Sequence, residues 1–456
     1  MNAPPPASKR PHGRPDRTRS HADIAQLGAR CNAVPLHWNT MHIVVIGAGV
    51  VGMTTAYFLH REGHRVTVVD AGSGPGQSTS MANGAQLSYS FVAPLADPGV
   101  LPRLPSWLLG RDTPLRFRPR LDPDQWRWSL DFLRACTRSR SRSTTRELLA
   151  LGLYSRLCVH DLVQRENPDF DFSSSGKLLV YQDAQAYEHA LSQREYQATL
   201  GCEQRVMDRQ ACLDLEPALA DIGASIAGAI YTPTEDAGDC QRLCTELERI
   251  LRAAPDPVRF HFNTPVQALR SERGRVVGAG TAGGDIDADH YVLASGMGAQ
   301  TLARRLGMDL RIYPLKGYSL TYDLTPDSIA PSASISDIRR KVVYARLGQR
   351  LRVAGMVDIG TGGNAVDPAR VRSLERDVAK FFPRLNPAGA PQAWAGLRPA
   401  RPDGKPLIGA TPYRNLWLNT GHGGLGFTLA AGSARMLTDL MRGRSPAVEA
   451  APFALQ

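Results

Sequence analysis

The pattern of apolar and polar residues along this 456-residue chain is most informative between residues 43 and 70. Four apolar residues, 43–46, are typical of a strand buried on both faces, and a helix-compatible run follows them. A second apolar stretch, residues 66–69, ends at Asp70. The pattern therefore predicts a β–α–β unit in which the strands are parallel neighbours.

The turn between the first strand and its helix has the spacing G-x-G-x-x-G. Gly47 permits a tight turn, Gly49 lets the backbone approach a pyrophosphate, and Gly52 lets the helix pack on the strand. The helix N-terminus offers N–H groups to phosphates, and Asp70 can accept hydrogen bonds from a ribose. An acid there disfavours a 2′-phosphate, which argues against NADP. The predicted dinucleotide contacts are Val45, Ile46, Gly47, Ala48, Gly49, Val50, Val51, Gly52 and Asp70.

Two alternatives apply to this stretch. It could be a glycine-rich helix start in an ordinary α/β sheet, or a membrane span, because residues 43–59 are nearly free of charge. The turn-forming residues at phosphate-binding spacing, with Asp70 after the second strand, disfavour the span.

Beyond residue 176 the pattern changes to short strands separated by helices. Residues 275–294 read as a β-meander whose last strand runs into Ser295 and Gly296, which we expect at the cofactor together with Val266. Dinucleotide-domain segments thus alternate along the chain with those of a β-rich second domain. The predicted strands are 177–181, 226–231, 258–262, 311–323, 341–347, 350–357 and 416–419, and the predicted helices are 184–200, 208–215, 240–253 and 367–382.

A second glycine-rich helix start follows the strand at 416–419. Its candidate contacts are Gly421, Gly424, Leu425 and Gly426, and a helix with one apolar face comes next. Two such starts suit a long cofactor better than NAD alone, because one helix end can face a pyrophosphate and the other a reduced flavin ring. His422 would lie beside that ring, as a proton handler or as a hydrogen-bonded structural histidine. A glycine-rich turn into a packing helix is the alternative for the whole stretch.

Residues 71–86 are too rich in glycine and small hydroxyl side chains to form a core, so they suit backbone wrapped around a ligand, or a plain surface loop. Residues 101–146 mix Trp107, Trp126 and Trp128 with several arginines, a composition found where proteins rest on anionic membranes. A solvated basic helix end beside buried aromatic residues explains this segment equally well.

The net charge of +11 does not indicate nucleic-acid binding, since residues 1–40 carry +4 of it and arginines outnumber lysines 48 to 6. This Pro-, Arg- and Ala-rich tail lacks periodicity, and we expect it to be disordered, an over-extended reading frame ahead of Met41, or an organelle transit peptide. Seven scattered cysteines without a C-x-x-C pair favour a reducing compartment and unpaired thiols. No run of 18 apolar residues is present, and we predict no metal site.

Three further stretches carry a resemblance to a known family. They are residues 313–321 (YPLKGYSLT), 395–409 (AGLRPARPDGKPLIG) and 415–423 (NLWLNTGHG). Together with the features above they make residues 41–445 similar to the D-amino acid oxidase superfamily of flavoproteins, and most closely to the small-subunit family of bacterial D-amino acid dehydrogenases. Residues 78–86 (STSMANGAQ) resemble the family's second flavin-contact loop, although Gly84-Ala85 reverses the expected order.

The resemblance implies a glutathione-reductase-type Rossmann FAD domain (α/β) interleaved with a β-sheet substrate domain. It implies non-covalent FAD, because no cysteine lies near the arginine motif. It also implies oxidative deamination of D-amino acids, such as D-alanine, to 2-oxo acids and ammonia. The hydride would pass from Cα to flavin N5, water would hydrolyse the imino acid, and no dedicated base would be needed. The loop contacts implied are Ser78, Thr79, Ser80, Asn83 and Gln86.

The resemblance also implies the substrate site. Arg398 of the Gly-Leu-Arg-Pro motif would bind the substrate carboxylate, with Tyr344, Tyr318 and Lys316 as pocket candidates for which ordinary strand packing is equally compatible. The acceptor would be a quinone or another carrier, and the protein would be cytoplasmic or on the inner face of the membrane. Rival functions are another amine-oxidising flavoenzyme (acting on glycine, a secondary amine, hydroxyproline or an opine), a non-catalytic flavin subunit, and a nucleic-acid-binding flavoprotein.

These inferences divide the chain into a tail (1–40), a discontinuous FAD domain (41–130, 235–310 and 395–445) and a substrate domain (131–234 and 311–394).

Overall fold

The computed structural model describes residues 40–92, 94–105, 110 and 113–456, and residues 39–456 belong to one compact unit. Trp107 and residues 1–39 of the predicted tail lie outside the described residues. The α-helices of the described part are α1 Val50–Arg61, α2 Pro123–Ala135, α3 Arg138–Glu166, α4 Ala184–Thr199, α5 Arg209–Leu215, α6 Cys240–Ala253, α7 Met297–Arg305, α8 Pro368–Phe381 and α9 Gly426–Met441.

The first sheet has six strands, and one of its central strands carries the apolar run at residues 43–46. In spatial order the strands are β19 Leu407–Ala410, β20 Leu416–Thr420, β13 His290–Leu293, β1 His42–Ile46, β2 Arg65–Val69 and β9 Arg259–His261. All neighbours are parallel except β19 and β20.

Both faces of this first sheet are covered. Ile43 and Val45 pack into a core shared with α1, α3, α6 and α9, whereas Val44 and Ile46 pack on the other side with α7 and a small antiparallel sheet. That small sheet consists of β10 Ala268–Glu272, β11 Arg275–Thr281 and β12 Gly284–Ile286. Burial on both faces explains why the strand is uniformly apolar.

The second sheet has nine strands and is largely antiparallel. In spatial order they are β18 Gln392–Ala400, β14 Tyr313–Asp323, β17 Arg350–Ile359, β16 Val342–Leu347, β15 Ser334–Asp337, β5 Lys177–Tyr181, β7 Gly228–Thr232 and β6 Arg205–Met207, with β4 Leu115–Phe117 paired to β17. One face, called here the helix face, packs against α5 and α8.

The opposite face of the nine-stranded sheet, called here the site face, is crossed by one stretch of chain. This crossing segment, residues 78–90, contains the short strand β3 Gln86–Leu87, which pairs with β8 Asp236–Ala237. Its hydrogen bonds reach one strand after another: Thr79 to Leu397 of β18, Ala82 to Ser319 of β14, Asn83 to Arg352 of β17, Gln86 to Tyr344 of β16 and Ile335 of β15, and Ser88 to Lys177 of β5. The segment also contacts α1 through Ser80, so it joins the nine-stranded sheet to the helices that cover the six-stranded sheet.

Two predicted domain boundaries differ from these layers. Strand β18 belongs to the nine-stranded sheet, so the boundary drawn at residue 395 cuts through a strand. Helix α3, assigned by sequence to the substrate domain, contributes Leu148, Leu151 and Val159 to the core that also contains α1 and α9. Packing between helices distant in the sequence, which local patterns do not record, determines this assignment.

Candidate functional site

The first glycine-rich turn joins β1 to α1 in the way the spacing predicts. Gly47 has φ +115°, and a Cβ there would lie 2.6 Å from the Ala294 carbonyl oxygen. A Cβ on Gly52 would overlap the Gly47 carbonyl group, so helix and turn touch through bare backbone. A Cβ on Gly49 would meet only Ser80 Oγ, at 3.4 Å. Gly49 thus leaves the space in front of the helix N-terminus accessible to a ligand.

Polar groups surround this helix start. Ser80 Oγ accepts a hydrogen bond from Val50 N at 3.0 Å, which brings the crossing segment to α1. The two carboxylate oxygens of Asp70 accept from Ala48 N and Gly72 N, both at 2.6 Å. Each carboxylate oxygen still has a lone pair for a hydroxyl donor. Thr264 N donates to the Asp70 carbonyl oxygen at 2.9 Å, so the partly buried Val266 follows a loop held at the end of β2.

The second glycine-rich start lies where β20 passes into α9. Gly421 and Gly423 have φ of +78° and +55°, and α9 begins at Gly426 without a side-chain cap. At the start of α9, the uncapped N–H groups and the positive end of the helix dipole point in the same direction. This arrangement would stabilise an anionic group bound there. Ser88 N donates to Thr428 Oγ1 at 3.1 Å, so the crossing segment also contacts the first turn of α9.

Arg398 stands on the site face between these features. Its stem passes Gly424, where a Cβ would be 3.9 Å from Arg398 Cδ, and its guanidinium covers Gly317, where a Cβ would be 2.5 Å from Cζ. Burial lowers the pKa of the guanidinium below its ordinary value, although arginine stays charged in proteins. Among the described residues no carboxylate forms an ion pair with it, so the site holds an uncompensated cation.

The one hydrogen bond recorded for this guanidinium, among the described residues, goes to a carbonyl group exposed by a β-bulge. Arg398 Nη1 donates to the Met356 carbonyl oxygen at 3.3 Å. Met356 has φ +63°, and the pairing of β14 with β17 shifts beside it, between Lys316 and Tyr318. A bulge redirects backbone groups, and a methionine in this conformation is strained. Sequence reasoning missed Met356 because no residue type marked the bulge.

Other predicted residues converge on the same space. Thr79 Oγ1 donates to the Leu397 carbonyl oxygen at 2.7 Å, next to Arg398. Gly296 has φ +55°, and a Cβ there would lie 3.9 Å from Pro399 Cγ. Ser295 Oγ is buried and has no hydrogen-bond partner among the described residues, so it can accept a ligand contact. The structure therefore brings the ends of β1, β13 and β20 and the middle of β18 to one cleft.

The remaining loop residues differ in what they contact. Ser78 is exposed, Asn83 Oδ1 accepts from Ala85 N at 2.9 Å, and Gln86 Nε2 donates to two strand carbonyl groups. Ala85 has φ +57°, whereas Gly84 has an ordinary φ. The Gly84-Ala85 order thus places the left-handed conformation on alanine instead of glycine.

Three pocket candidates lie on the wrong face of the sheet. Tyr344 is fully buried on the helix face, where its ring stacks on Phe381 at 5.2 Å, and Tyr318 OH donates to Asp358 Oδ2 at 2.9 Å. Lys316 Nζ donates to the Ala365 carbonyl oxygen beside the Tyr318 ring. Side chains alternate between the two faces along a strand. Lys316 and Tyr318 therefore share the helix face, opposite the face that carries Gly317 and Arg398. The pocket assignment is therefore corrected, and strand packing is their role.

His422 is a structural histidine. Its Nε2 lies 3.0 Å from Ser433 Oγ of α9, and burial lowers its pKa to about 3. The ring is consequently neutral at neutral pH and its bonded nitrogen points along the helix. These contacts do not support the role of proton handler.

The residues present fit FAD. Two helix N-termini, at Val50 and Gly426, face a common cleft, and Gly49 leaves room for a pyrophosphate. Asp70, the buried unpartnered Ser295 Oγ and the bare Gly421–Gly426 turn supply the polar contacts that the two ends of such a cofactor need. Individual contacts with the cofactor stay predictions.

Comparisons with known proteins agree with this geometry. The "D-amino acid dehydrogenase 2" of Ralstonia nicotianae is 50% identical over 425 residues, which cover 91% of this chain and 100% of that protein. The "D-amino acid dehydrogenase 2" of Pseudomonas aeruginosa is 45% identical, over 89% of this chain and 96% of that one. Glycine oxidase from Geobacillus kaustophilus superposes with a TM-score of 0.72 over 91% of this chain and 99% of that one, at 21% identity.

The fold expectation is therefore confirmed, and FAD is the cofactor. A family model described as "FAD dependent oxidoreductase" matches residues 42–440, nearly the whole described part of the molecule. The chain belongs to the DAO family of FAD-dependent oxidoreductases.

Proposed function

We propose that this enzyme oxidises D-amino acids to imino acids, which water hydrolyses to 2-oxo acids and ammonia. The observation that carries the proposal is Arg398, a partly buried residue whose guanidinium has no carboxylate partner among the described residues. A buried charge is stable only when a counter-charge is supplied, and a substrate carboxylate supplies one. The two named D-amino acid dehydrogenases, at 50% and 45% identity, support the substrate class.

Arg398 would fix the substrate by its planar fork. A guanidinium binds a carboxylate through two parallel hydrogen bonds, and this sets the direction of the Cα–H bond. The Met356 carbonyl oxygen holds Nη1 in place, and the Gly317 backbone supports the guanidinium from below. The residues of the site would hold FAD, which would supply the acceptor for the Cα hydride and the electron pair that the hydride carries.

The chain offers no obvious base for the amine proton within the predicted set. His422 is neutral and bonded to Ser433, and Tyr318, Tyr344 and Lys316 lie on the helix face. We infer that the substrate amine loses its proton to solvent before oxidation and that the residues of the cleft orient the neutral amine. Removal of any of these four side chains should then leave the pH profile of kcat/KM with the same apparent pKa.

The direct test of the reaction is anaerobic reduction of bound FAD by matched D- and L-amino acids. We expect the D-enantiomers to bleach the flavin absorbance without any partner protein, and the L-enantiomers to do so far more slowly. Equal rates for both enantiomers would contradict the D-specificity. The absence of bleaching by every amino acid would instead favour a non-catalytic flavin subunit.

We also infer that the electrons pass to a membrane quinone, with helix α2 resting on the lipid surface. Trp126, Leu130 and Leu133 follow one another at helical spacing and are 52%, 49% and 40% exposed. Exposed Arg127, Arg134, Arg138 and Arg140 flank this stripe. Trp128, by contrast, is buried against Phe132 and donates to the Ala400 carbonyl oxygen, so it belongs to the core. No helix in the described residues is long and apolar enough to cross a bilayer.

Vesicle sedimentation tests the membrane contact. We expect binding to vesicles of anionic phospholipid, weaker binding to zwitterionic vesicles, and loss of binding in Leu130→Glu with unchanged activity towards a soluble dye. Undiminished binding of Leu130→Glu would remove the assignment of this stripe.

A further inference from the structure

Beside Arg398, two neighbouring strands of the nine-stranded sheet carry glycines, which present backbone without side chains; these two glycines are called here the floor. Gly317 of β14 and Gly396 of β18 are direct cross-strand partners on the site face. Such partners stand about 5 Å apart. The Arg398 guanidinium occupies the space where a Gly317 side chain would be. Whatever covers the second glycine is therefore the next surface that a ligand bound to Arg398 would meet.

The indole of Trp394 covers that second glycine. A Cβ on Gly396 would overlap the six-membered ring of the indole and lie 2.9 Å from Cζ3. Residues 394, 396 and 398 alternate along β18, so Trp394 and Arg398 share the site face, whereas Ala395 is in the core of the helix face. The indole and the guanidinium thus lie side by side over two bare backbone positions. Trp394 is only partly buried, so part of its ring remains available.

A second apolar residue lies on the crossing segment, next to the point where that segment contacts β14. Ser319 is the cross-strand partner of Trp394, and its hydroxyl donates to the Ala82 carbonyl oxygen at 2.6 Å. Met81, the preceding residue, is 50% exposed although its neighbours Ser80 and Ala82 are buried. An exposed methionine is a flexible apolar surface that adapts to apolar ligands.

We propose that Trp394 and Met81 form the subsite for the substrate side chain, over the floor of Gly317 and Gly396. The subsite selects D-amino acids with long unbranched or aromatic apolar side chains over D-alanine and over acidic D-amino acids. This inference rests on the proposed function, because Arg398 must hold the carboxylate. A side chain that leaves Cα on the indole side then contacts the ring and the thioether, whereas an acidic one would lose its hydration against apolar groups.

The test compares D-phenylalanine, D-methionine, D-alanine and D-glutamate in steady-state kinetics with a soluble dye. In Trp394→Ala, we expect the KM for D-phenylalanine and D-methionine to rise roughly 10- to 100-fold, with a change of less than about threefold for D-alanine and little change in kcat. Trp394→Phe should recover most of the loss for D-phenylalanine. Val206→Ala, an exposed apolar residue on the opposite edge of the same sheet, is the control and should change none of these values.

A second variant guards against misfolding of the first. Gly396→Ala would push the indole aside without removing it, and should reduce the preference for D-phenylalanine over D-alanine in the same direction. An equal loss for all substrates would overturn the subsite, because it would mean that Trp394 only supports Arg398. Unchanged selectivity in both variants would also overturn it. If unaltered enzyme is not reduced by any of the four D-amino acids, the failure is that of the proposed function itself.

Discussion

Arg398 carries most of the predicted chemistry at the residue scale, because it is a partly buried charge supported by one carbonyl oxygen and by glycine backbone. Its counter-charge must therefore come from a bound ligand. The same arrangement makes the consequence of its removal large. A substrate carboxylate left in the cleft without this guanidinium would be desolvated and unpaired.

We predict that Arg398→Ala lowers kcat/KM by roughly 30-fold to several thousandfold, since stranding a charged partner costs about 2 to 5 kcal/mol. Arg398→Lys should recover only part, because an ammonium lacks the planar fork. The visible flavin spectrum should remain unchanged in both variants, since the predicted phosphate contacts are at Gly47–Gly52. Full activity of Arg398→Ala with free amino acids would contradict the carboxylate assignment.

His422 should make stability depend on pH. Burial depresses its pKa to about 3 in the folded state, whereas an unfolded histidine titrates near 6.5. Below pH 6.5 the unfolded chain therefore binds the extra proton, and stability falls as the pH decreases. At pH 5 the loss is roughly 2 kcal/mol relative to pH 7.

Urea unfolding of the wild type and His422→Asn at pH 7 and pH 5 measures this contribution. The variant should lose about 2 kcal/mol less stability between the two pH values. An identical pH dependence in both proteins would show that His422 is not the titrating group. His60, which is not in the buried core, provides the control His60→Asn.

At the scale of elements, a buried ion cluster fastens α8 and β4 to the nine-stranded sheet. Asp358 of β17 is fully buried and accepts hydrogen bonds from Arg370, Arg116 and Tyr318. Burial acts to raise the pKa of Asp358, but the hydrogen bonds and charges of the two arginines outweigh it and hold that pKa below its ordinary value.

We predict that Asp358→Asn destabilises the protein by about 3 to 5 kcal/mol, because it leaves the buried Arg370 without its counter-charge. Asp221→Asn, which breaks an exposed ion pair with Arg384, should cost less than about 1 kcal/mol. Equilibrium unfolding in urea gives both values. Similar small losses in the two variants would mean that the cluster adds nothing beyond a surface pair.

Sequence reasoning located the elements whose signals are local. The turn at Gly47–Gly52, its flanking strands and α9 were predicted because apolar period and glycine spacing occur within a few residues. Helix α3 was missed, since it buries Ser141, Gly152 and Ser155 and lacks a clear apolar stripe. These small residues serve close packing: a Cβ on Gly432 of α9 would lie 2.8 Å from Ser155 Cα.

The site residues also divide into those that a local motif marks and those that it does not. Arg398 and both glycine-rich starts were found from motifs, whereas Tyr318, Tyr344 and Lys316 were placed in the pocket although they face the helices. A strand pattern gives the period of two but not which face meets the cofactor layer. Trp394 could have been found by counting back from Arg398 in steps of two.

For the whole molecule, we expect bound FAD to contribute to stability, because its predicted contacts come from segments far apart in the sequence, at Gly47–Gly52 and Gly421–Gly426. We predict that the apoprotein unfolds at a lower temperature, and that FAD at 100 times its Kd adds about 2.7 kcal/mol. Because residues 39–456 form one compact unit, far-UV circular dichroism and flavin fluorescence should report one shared transition. Two separate transitions, or no response to FAD, would contradict this coupling.

The crossing segment has a consequence for how this family can vary in sequence. Its hydrogen bonds reach six strands in turn within ten residues, from Thr79 to Ser88, and the same stretch touches both α1 and α9. A single inserted or deleted residue would displace every later contact by one position and reverse which side chains face the sheet. The length of this stretch should therefore be fixed among functional homologues, while individual side chains in it change freely wherever only a backbone carbonyl is used.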